Sequence, residues 1–207
     1  MRKLVLLLCL FMPLISHSQE IRTYNNFSVG ASFSGHSSSG MISYGEMVQK
    51  KSIVPFRAMA ALDLKFQAFN KNNSIILKGN DFSLLRRINT VNMALPLGFE
   101  IFEKNIGIGL SQEIFSLAFN KSCDSTQVKM PSKTTATPKR FSSILSKNNS
   151  LSGQIYLVYT VSESFAIKLG IQRENLGLRF ADANNNSQTG SIHSNSIFIN
   201  IRTNIEK

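Results

Sequence analysis

The sequence predicts an all-β chain: an antiparallel up-and-down transmembrane β-barrel of about eight strands, carried behind a cleaved export signal. Three observations predict it. A short apolar leader opens the chain, apolar and polar residues then alternate with a period of two, and the segments between alternating stretches are unequal in length, as they are on the two rims of a membrane barrel.

The leader comes first. Arg2 and Lys3 precede an apolar run over residues 4–15, which gives way to Ser16, His17, Ser18, Gln19 and Glu20. A basic start, a run of this length and small residues at its end make residues 1–18 a secretory signal peptide, cleaved after Ser18. The run is too short to cross a bilayer as a helix. Cys9 follows Leu8 in mid-run, without the small residues that precede a lipidated cysteine, and leaves with the leader. Residues 19–207 then form one outer-membrane β-barrel domain.

Only Cys123 remains in that domain, so no internal disulfide can form, and no neighbouring His or Cys marks it as a metal ligand or activated thiol. The formal charge is +11, which removal of Arg2 and Lys3 reduces to +9. Export and the scattering of the basic residues argue against nucleic acid; contact with anionic lipid or polysaccharide surfaces fits better, and outer-membrane lipids are the expected partner.

After residue 18 no segment has the run of about 18 apolar residues that a membrane helix needs. The first strand begins at Phe27, with Phe27, Val29, Ala31 and Phe33 on one parity and Ser28, Gly30, Ser32 and Ser34 on the other. A cleaner one spans residues 57–68: Ala58, Ala60, Leu62, Leu64, Phe66 and Ala68 face one way, and Arg57, Asp63, Lys65 and Gln67 the other. Further strands are expected over 74–78, 91–102, 106–119, 150–161, 165–180 and 192–205. The connections then read long (36–51), short (70–73), medium (79–90), short (103–105), very long (120–149), short (162–164) and medium (181–191). Short turns belong to the periplasmic rim, where an even strand number also puts both termini. Phe69, Phe102 and Phe165 beside the short turns, and Phe56, Phe119 and Phe180 toward the long loops, are expected to form two aromatic girdles.

With the apolar parity facing lipid, the opposite parity fills the barrel. It carries Arg57, Asp63, Lys65, Glu100, Glu113, Lys168, Glu174 and Arg202, four basic and four acidic residues. An eight-stranded barrel is about wide enough for its own side chains, so these are expected to pair as a structural charge network and plug the lumen. Gln112 and Ser116 break parity unless a bulge falls near residues 111–113, and a second slip is expected near Asn175.

The stretch Thr90-Val-Asn-Met-Ala-Leu-Pro-Leu-Gly-Phe99, with a proline inside a strand, resembles the leucine-rich, Pro-containing strand of the PorT-like outer-membrane β-barrel proteins of Bacteroidetes. Gly107-Ile-Gly-Leu110 is similar to that family's glycine-rich next strand, and Glu174-Asn-Leu-Gly-Leu178 to its penultimate one. The resemblance implies a cell-envelope barrel in a Gram-negative outer membrane. A role in secretion is not carried over, because no residue here marks a secretion-specific contact.

A non-enzymatic structural or surface-binding role is expected, with no cofactor and no metal. His36 and His193 are the histidines left after the leader, neither at metal-ligand spacing, and no nucleophile elbow or phosphate loop is present. Asp182 lies near His193 in sequence, but in Ser-rich loops such adjacency reads as solvated polarity. A barrel enzyme would need a His, a Ser and a carboxylate brought together. The loop over 120–149, rich in Lys, Ser and Thr with Pro131 and Pro138, is the expected contact element for an envelope protein partner. The alternative is a secreted lipocalin-like barrel holding a small apolar ligand. It would turn Leu62, Leu64 and Phe66 inward and Arg57, Asp63 and Lys65 outward.

Overall fold

The computed structural model describes residues 21–50, 55–70, 74–77, 80–84, 87–119, 123–127, 133–145, 150–181 and 187–206. The leader, Asp182 and Pro131 lie outside them. In chain order the described strands are β1 (Ile21–Phe33), β2 (Ser37–Lys50), β3 (Phe56–Phe69), β4 (Ser74–Leu77), β5 (Asn80–Leu84), β6 (Ile88–Glu103), β7 (Ile106–Phe119), β8 (Cys123–Gln127), β9 (Lys133–Pro138), β10 (Phe141–Ser143), β11 (Gly153–Ser162), β12 (Phe165–Ala181) and β13 (Ser187–Glu206). Eight of them close a ring in the order β1, β2, β3, β6, β7, β11, β12, β13 and back to β1, every pairing antiparallel. Closure leaves no free edge in the ring.

The ring has the expected size but not the expected membership. Residues 37–50, expected as a long loop, form β2; residues 74–77, expected as a barrel strand, form β4, which pairs with β5 outside the ring. β2 escapes an apolar/polar reading because its inward face mixes small polar residues with methionine: Ser37, Ser39, Ser43, Gly45 and Met47 are all buried. Across the ladder Ser39 faces Gln67, Ser43 faces Asp63 and Gly45 faces Ala61 on β3, while Met41 stands opposite Lys65.

One rim, called the chain-end rim below, carries the start of β1 at Ile21 and the finish of β13 at Glu206, the two-residue turn after Glu103 and the turn after Ser162. The opposite rim carries the excursions between β3 and β6 and between β7 and β11, although the turn after Phe33 on that rim is also short. The excursions are structured. β12 outruns β11 and pairs with β9, which pairs in turn with β8, β8 with β5 and β5 with β4, while β10 adds to the end of β7. The 120–149 segment is therefore not a plain loop: its Ala136 is buried with Phe69, Ile88, Leu176, Leu178, Phe180 and Ile192 in an apolar cluster that caps the long-loop end. Cys123 opens β8 opposite Ala136.

The outer wall is apolar. Val29, Ile42, Leu62, Leu64, Phe66, Leu97, Ile108, Leu157, Leu169, Ile171, Ile199 and Ile201 all project outward and are exposed. Arg57, Asp63 and Lys65 point inward and are buried. This is the reverse of what a lipocalin-like carrier needs. The girdles differ from expectation too. Phe69, Phe102 and Phe180 are buried inside, and Phe56 stands on the chain-end rim, stacked on Phe99 at 5.5 Å. Phe33, Phe66 and Phe119 together line an outward hollow near the long-loop rim.

A bulge occurs one residue beyond the expected segment. Glu113 pairs with Pro96 and Phe115 with Leu95, so Ile114 is extra, opposite a proline with no N–H to give the ladder. It turns both Glu113 and Ser116 inward. No slip occurs at Asn175, because β12 and β13 stay in register from Phe165 to Ala181. The inner wall simply changes from Glu174 to Leu176, Leu178 and Phe180 as it leaves the charged section for the apolar cap.

Tyr156 of β11 lies between two glycines, Gly109 on β7 and Gly170 on β12. A Cβ at Gly109 would stand 2.4 Å from the Tyr156 ring, so only glycine leaves room for it. Gly109→Val should displace Tyr156 and destabilise the barrel by about 1–3 kcal/mol through overpacking, read as a lower urea midpoint with Gly35→Val, an open position, as control.

Candidate functional site

The eight charged residues lie along the lumen in tiers. Nearest the chain-end rim, Glu100 of β6 is fully buried and sits at the meeting point of three cations. Arg202 of β13 donates from both terminal nitrogens to the two carboxylate oxygens at 2.7 and 3.0 Å. Lys168 of β12 approaches to 3.1 Å and Arg57 of β3 to 3.8 Å. The Tyr156 hydroxyl donates to the same carboxylate at 3.0 Å. Arg57 also stands 4.0 Å over the Phe102 ring, and Lys168 lies 4.6 Å from the Tyr156 ring, so both cations have an aromatic face as well as an anion.

The next tier inverts the ratio. Lys65 of β3 pairs with Glu113 of β7, whose other oxygen accepts the Ser152 backbone N–H at 2.8 Å. Asp63 is buried beside them, opposite Ser43 on β2. Toward the long-loop rim Glu174 of β12 accepts from Ser32 at 2.7 Å, Ser39 at 2.6 Å, Gln172 at 2.9 Å and Ser37 at 2.8 Å. Hydroxyls and an amide, not a cation, solvate it. Three cations thus share one carboxylate below, and one cation faces three carboxylates above; the excess of each tier offsets the other. The room left between them is small: a cavity of about 40 Å³ touches Asn26, Ser43, Met59, Asp63, Lys168 and Asn200.

The histidines separate. His36 sits in the turn between β1 and β2, where its backbone N–H donates to Ser34 Oγ. His193 lies within β13 on the outer wall, directly across from Asn175 of β12. Its Nδ1 is 2.6 Å from the Asn175 side-chain oxygen and its Nε2 is 2.9 Å from Ser191 Oγ. An amide oxygen only accepts, so Nδ1 carries the proton and Nε2 is left to accept from the serine hydroxyl. These three residues stand above the apolar band, which ends at Ile171 and Ile197. Sequence reasoning missed the constellation because it looked for a carboxylate; the signal present was Ser191 and His193 at a strand spacing that puts both on one face. Asn175 also lines an outward groove of about 650 Å³, together with Leu110, Ile144, Leu151, Ile155 and Ile171 and the polar Gln112, Gln154 and Arg173. Among the described residues no group of three or more His, Cys, Asp and Glu could hold a metal.

No protein-family model matches the chain, and no curated protein matches it. Among solved structures it is similar to Neisserial surface protein A (NspA), at 9% identity and a TM-score of 0.35, over 90% of this chain and 99% of that one. A mutant porin of Rh. blastica aligns at 8% identity and a TM-score of 0.13, over 92% of this chain and all of that one. Superpositions this loose leave the functional reading to the chain's own residues.

Removing the charge at the centre tests the lower tier. Glu100→Gln leaves Arg57, Lys168 and Arg202 buried without a counter-charge and should cost about 3–5 kcal/mol, seen as a large drop in the urea midpoint. An unchanged midpoint would mean that the cluster carries little of the fold's stability.

Proposed function

We propose that this chain is an integral outer-membrane β-barrel of a Gram-negative bacterium, exported by residues 1–18 as a signal peptide, whose lumen is plugged by its ion pairs and whose role is that of a scaffold or binding surface. The observation that carries this reading is the inverted wall, with Leu62, Leu64 and Phe66 outside and Arg57, Asp63 and Lys65 inside. An exposed apolar belt of that extent is costly in water and favourable in lipid. The plug is supported by the four-partner cluster at Glu100 and by the small volume left beside Asp63 and Lys168.

Kinship with the PorT-like barrels of Bacteroidetes rests on the stretches at 90–99, 107–110 and 174–178. Of these, the first is a ring strand whose Pro96 sits at the bulge, a place where a strand tolerates proline. An envelope protein partner would meet the long-loop rim, where 120–149 contributes β8, β9 and β10.

Fractionation and gel mobility test the proposal. The expressed protein should be recovered with outer membranes, migrate differently before and after boiling, and give no steady conductance in planar bilayers. Recovery as a soluble protein would overturn the membrane reading, and a stable open conductance would overturn the plug.

A further inference from the structure

The expectation of no enzymatic site rested on the lack of a convergent His, Ser and carboxylate. The outer wall supplies that arrangement with an amide in the carboxylate's place. Ser191, His193 and Asn175 form a continuous hydrogen-bonded chain, 2.9 Å from Ser191 Oγ to His193 Nε2 and 2.6 Å from His193 Nδ1 to the Asn175 oxygen. A nucleophile bonded to a base, and the base bonded to a group that fixes its tautomer, are two of the geometric requirements of nucleophilic acyl transfer. The pairing of β12 with β13 sets all three: Asn175 is directly across from His193, and Ser191 is two residues further along the same face.

Their position selects the substrate. The hydrogen-bonded chain lies beyond the apolar belt, Asn175 four residues past Ile171 and Ser191 six past Ile197, on the polar side where lipid head groups would stand if the belt is in the bilayer. Through Asn175, though not through Ser191 or His193 themselves, it meets the groove whose lining includes Leu110, Ile155, Ile171 and Arg173. An acyl chain fits the apolar walls, and the Arg173 guanidinium suits a phosphate beside the ester. We infer that Ser191, His193 and Asn175 are the nucleophile, base and positioning residue of a site that hydrolyses acyl esters of anionic membrane lipids. The inference rests on the membrane reading above for its substrate, though not for its chemistry.

The step balances without a metal or a redox partner. Ser191 Oγ bonds to the acyl carbonyl carbon while its proton passes to His193 Nε2. The carbon–oxygen bond to the lipid alcohol breaks, and that oxygen takes the proton from Nε2. Water then attacks the acyl-serine, giving a proton to Nε2; Ser191 Oγ leaves, takes that proton back, and a fatty acid is released. Asn175 acts through His193, holding Nδ1 protonated and the ring turned toward Ser191.

Two assays on the full-length protein, folded in detergent micelles and shown to be folded by its heat-dependent gel mobility, decide the matter. A fluorophosphonate probe should form an adduct at Ser191 that is absent in S191A and H193Q. Release of fatty acid from phosphatidylglycerol mixed micelles should fall by about 100-fold or more in both variants. N175A should lower kcat with KM nearly unchanged, whereas R173A should raise KM. Folded wild-type protein with no adduct, and with fatty-acid release equal to that of S191A, would overturn the site. An adduct with turnover of p-nitrophenyl acetate but not of phosphatidylglycerol would overturn the lipid substrate. Failure of the membrane reading is separable, since it shows as recovery in the soluble fraction whatever happens at Ser191.

Discussion

Holding eight charged side chains inside a tube of eight strands, seven of them buried and Lys168 nearly so, governs everything else in this structure. A carboxylate without partners in that interior would cost several kcal/mol, more than most domains have to spare. Glu100 avoids that cost by meeting Arg202 through two hydrogen bonds, with Lys168 and Arg57 near enough to share its charge. Those partners come from β3, β12 and β13, so the cluster joins strands on different sides of the ring. It ties the wall together across its width, which backbone ladders between neighbours cannot do.

Steric consequences follow from that choice. With long charged side chains crossing the lumen, the strands facing them need small inward residues, and β2 supplies Ser37, Ser39, Ser43 and Gly45. Tyr156 needs glycines on both neighbouring strands to reach Glu100 with its hydroxyl. The bulge at Ile114 belongs to the same set, since without the extra residue Glu113 and Ser116 could not both face inward. Toward the long-loop rim charge gives way to the apolar cap around Phe69, Leu176 and Phe180, and the excursion strands close over it.

With the polar side chains spent on the interior, the outer wall is left with apolar contacts and a few groups at its margin. Ser191, His193 and Asn175 belong to that margin, outside the lumenal network and next to the groove below Arg173. One of their hydrogen bonds joins β13 to β12 and the other runs along β13, in the part of those strands that rises above the apolar band. A continuous ladder there gives a reacting group a more rigid base than a loop would.

The sequence by itself determined which residues of a strand share a face. Side chains alternate with a period of two whatever the strand pairs with, so the inward set from Arg57 to Arg202 and the outward set from Val29 to Ile201 were legible from spacing. It determined less well which segments are ring strands. β2 lacks apolar/polar contrast because serine, glycine and methionine share its inward face, and β4 has strand character without a place in the ring. Only the tertiary structure decided the pairings across the barrel, because Glu100, Lys168 and Arg202 are brought together by closure over a hundred residues of chain. The same is true of Asn175 and His193, which are eighteen residues apart and meet only through the register of β12 and β13. Periodicity tells a side chain which way to face; register, fixed by the closed ladder, tells it which neighbour it will find there.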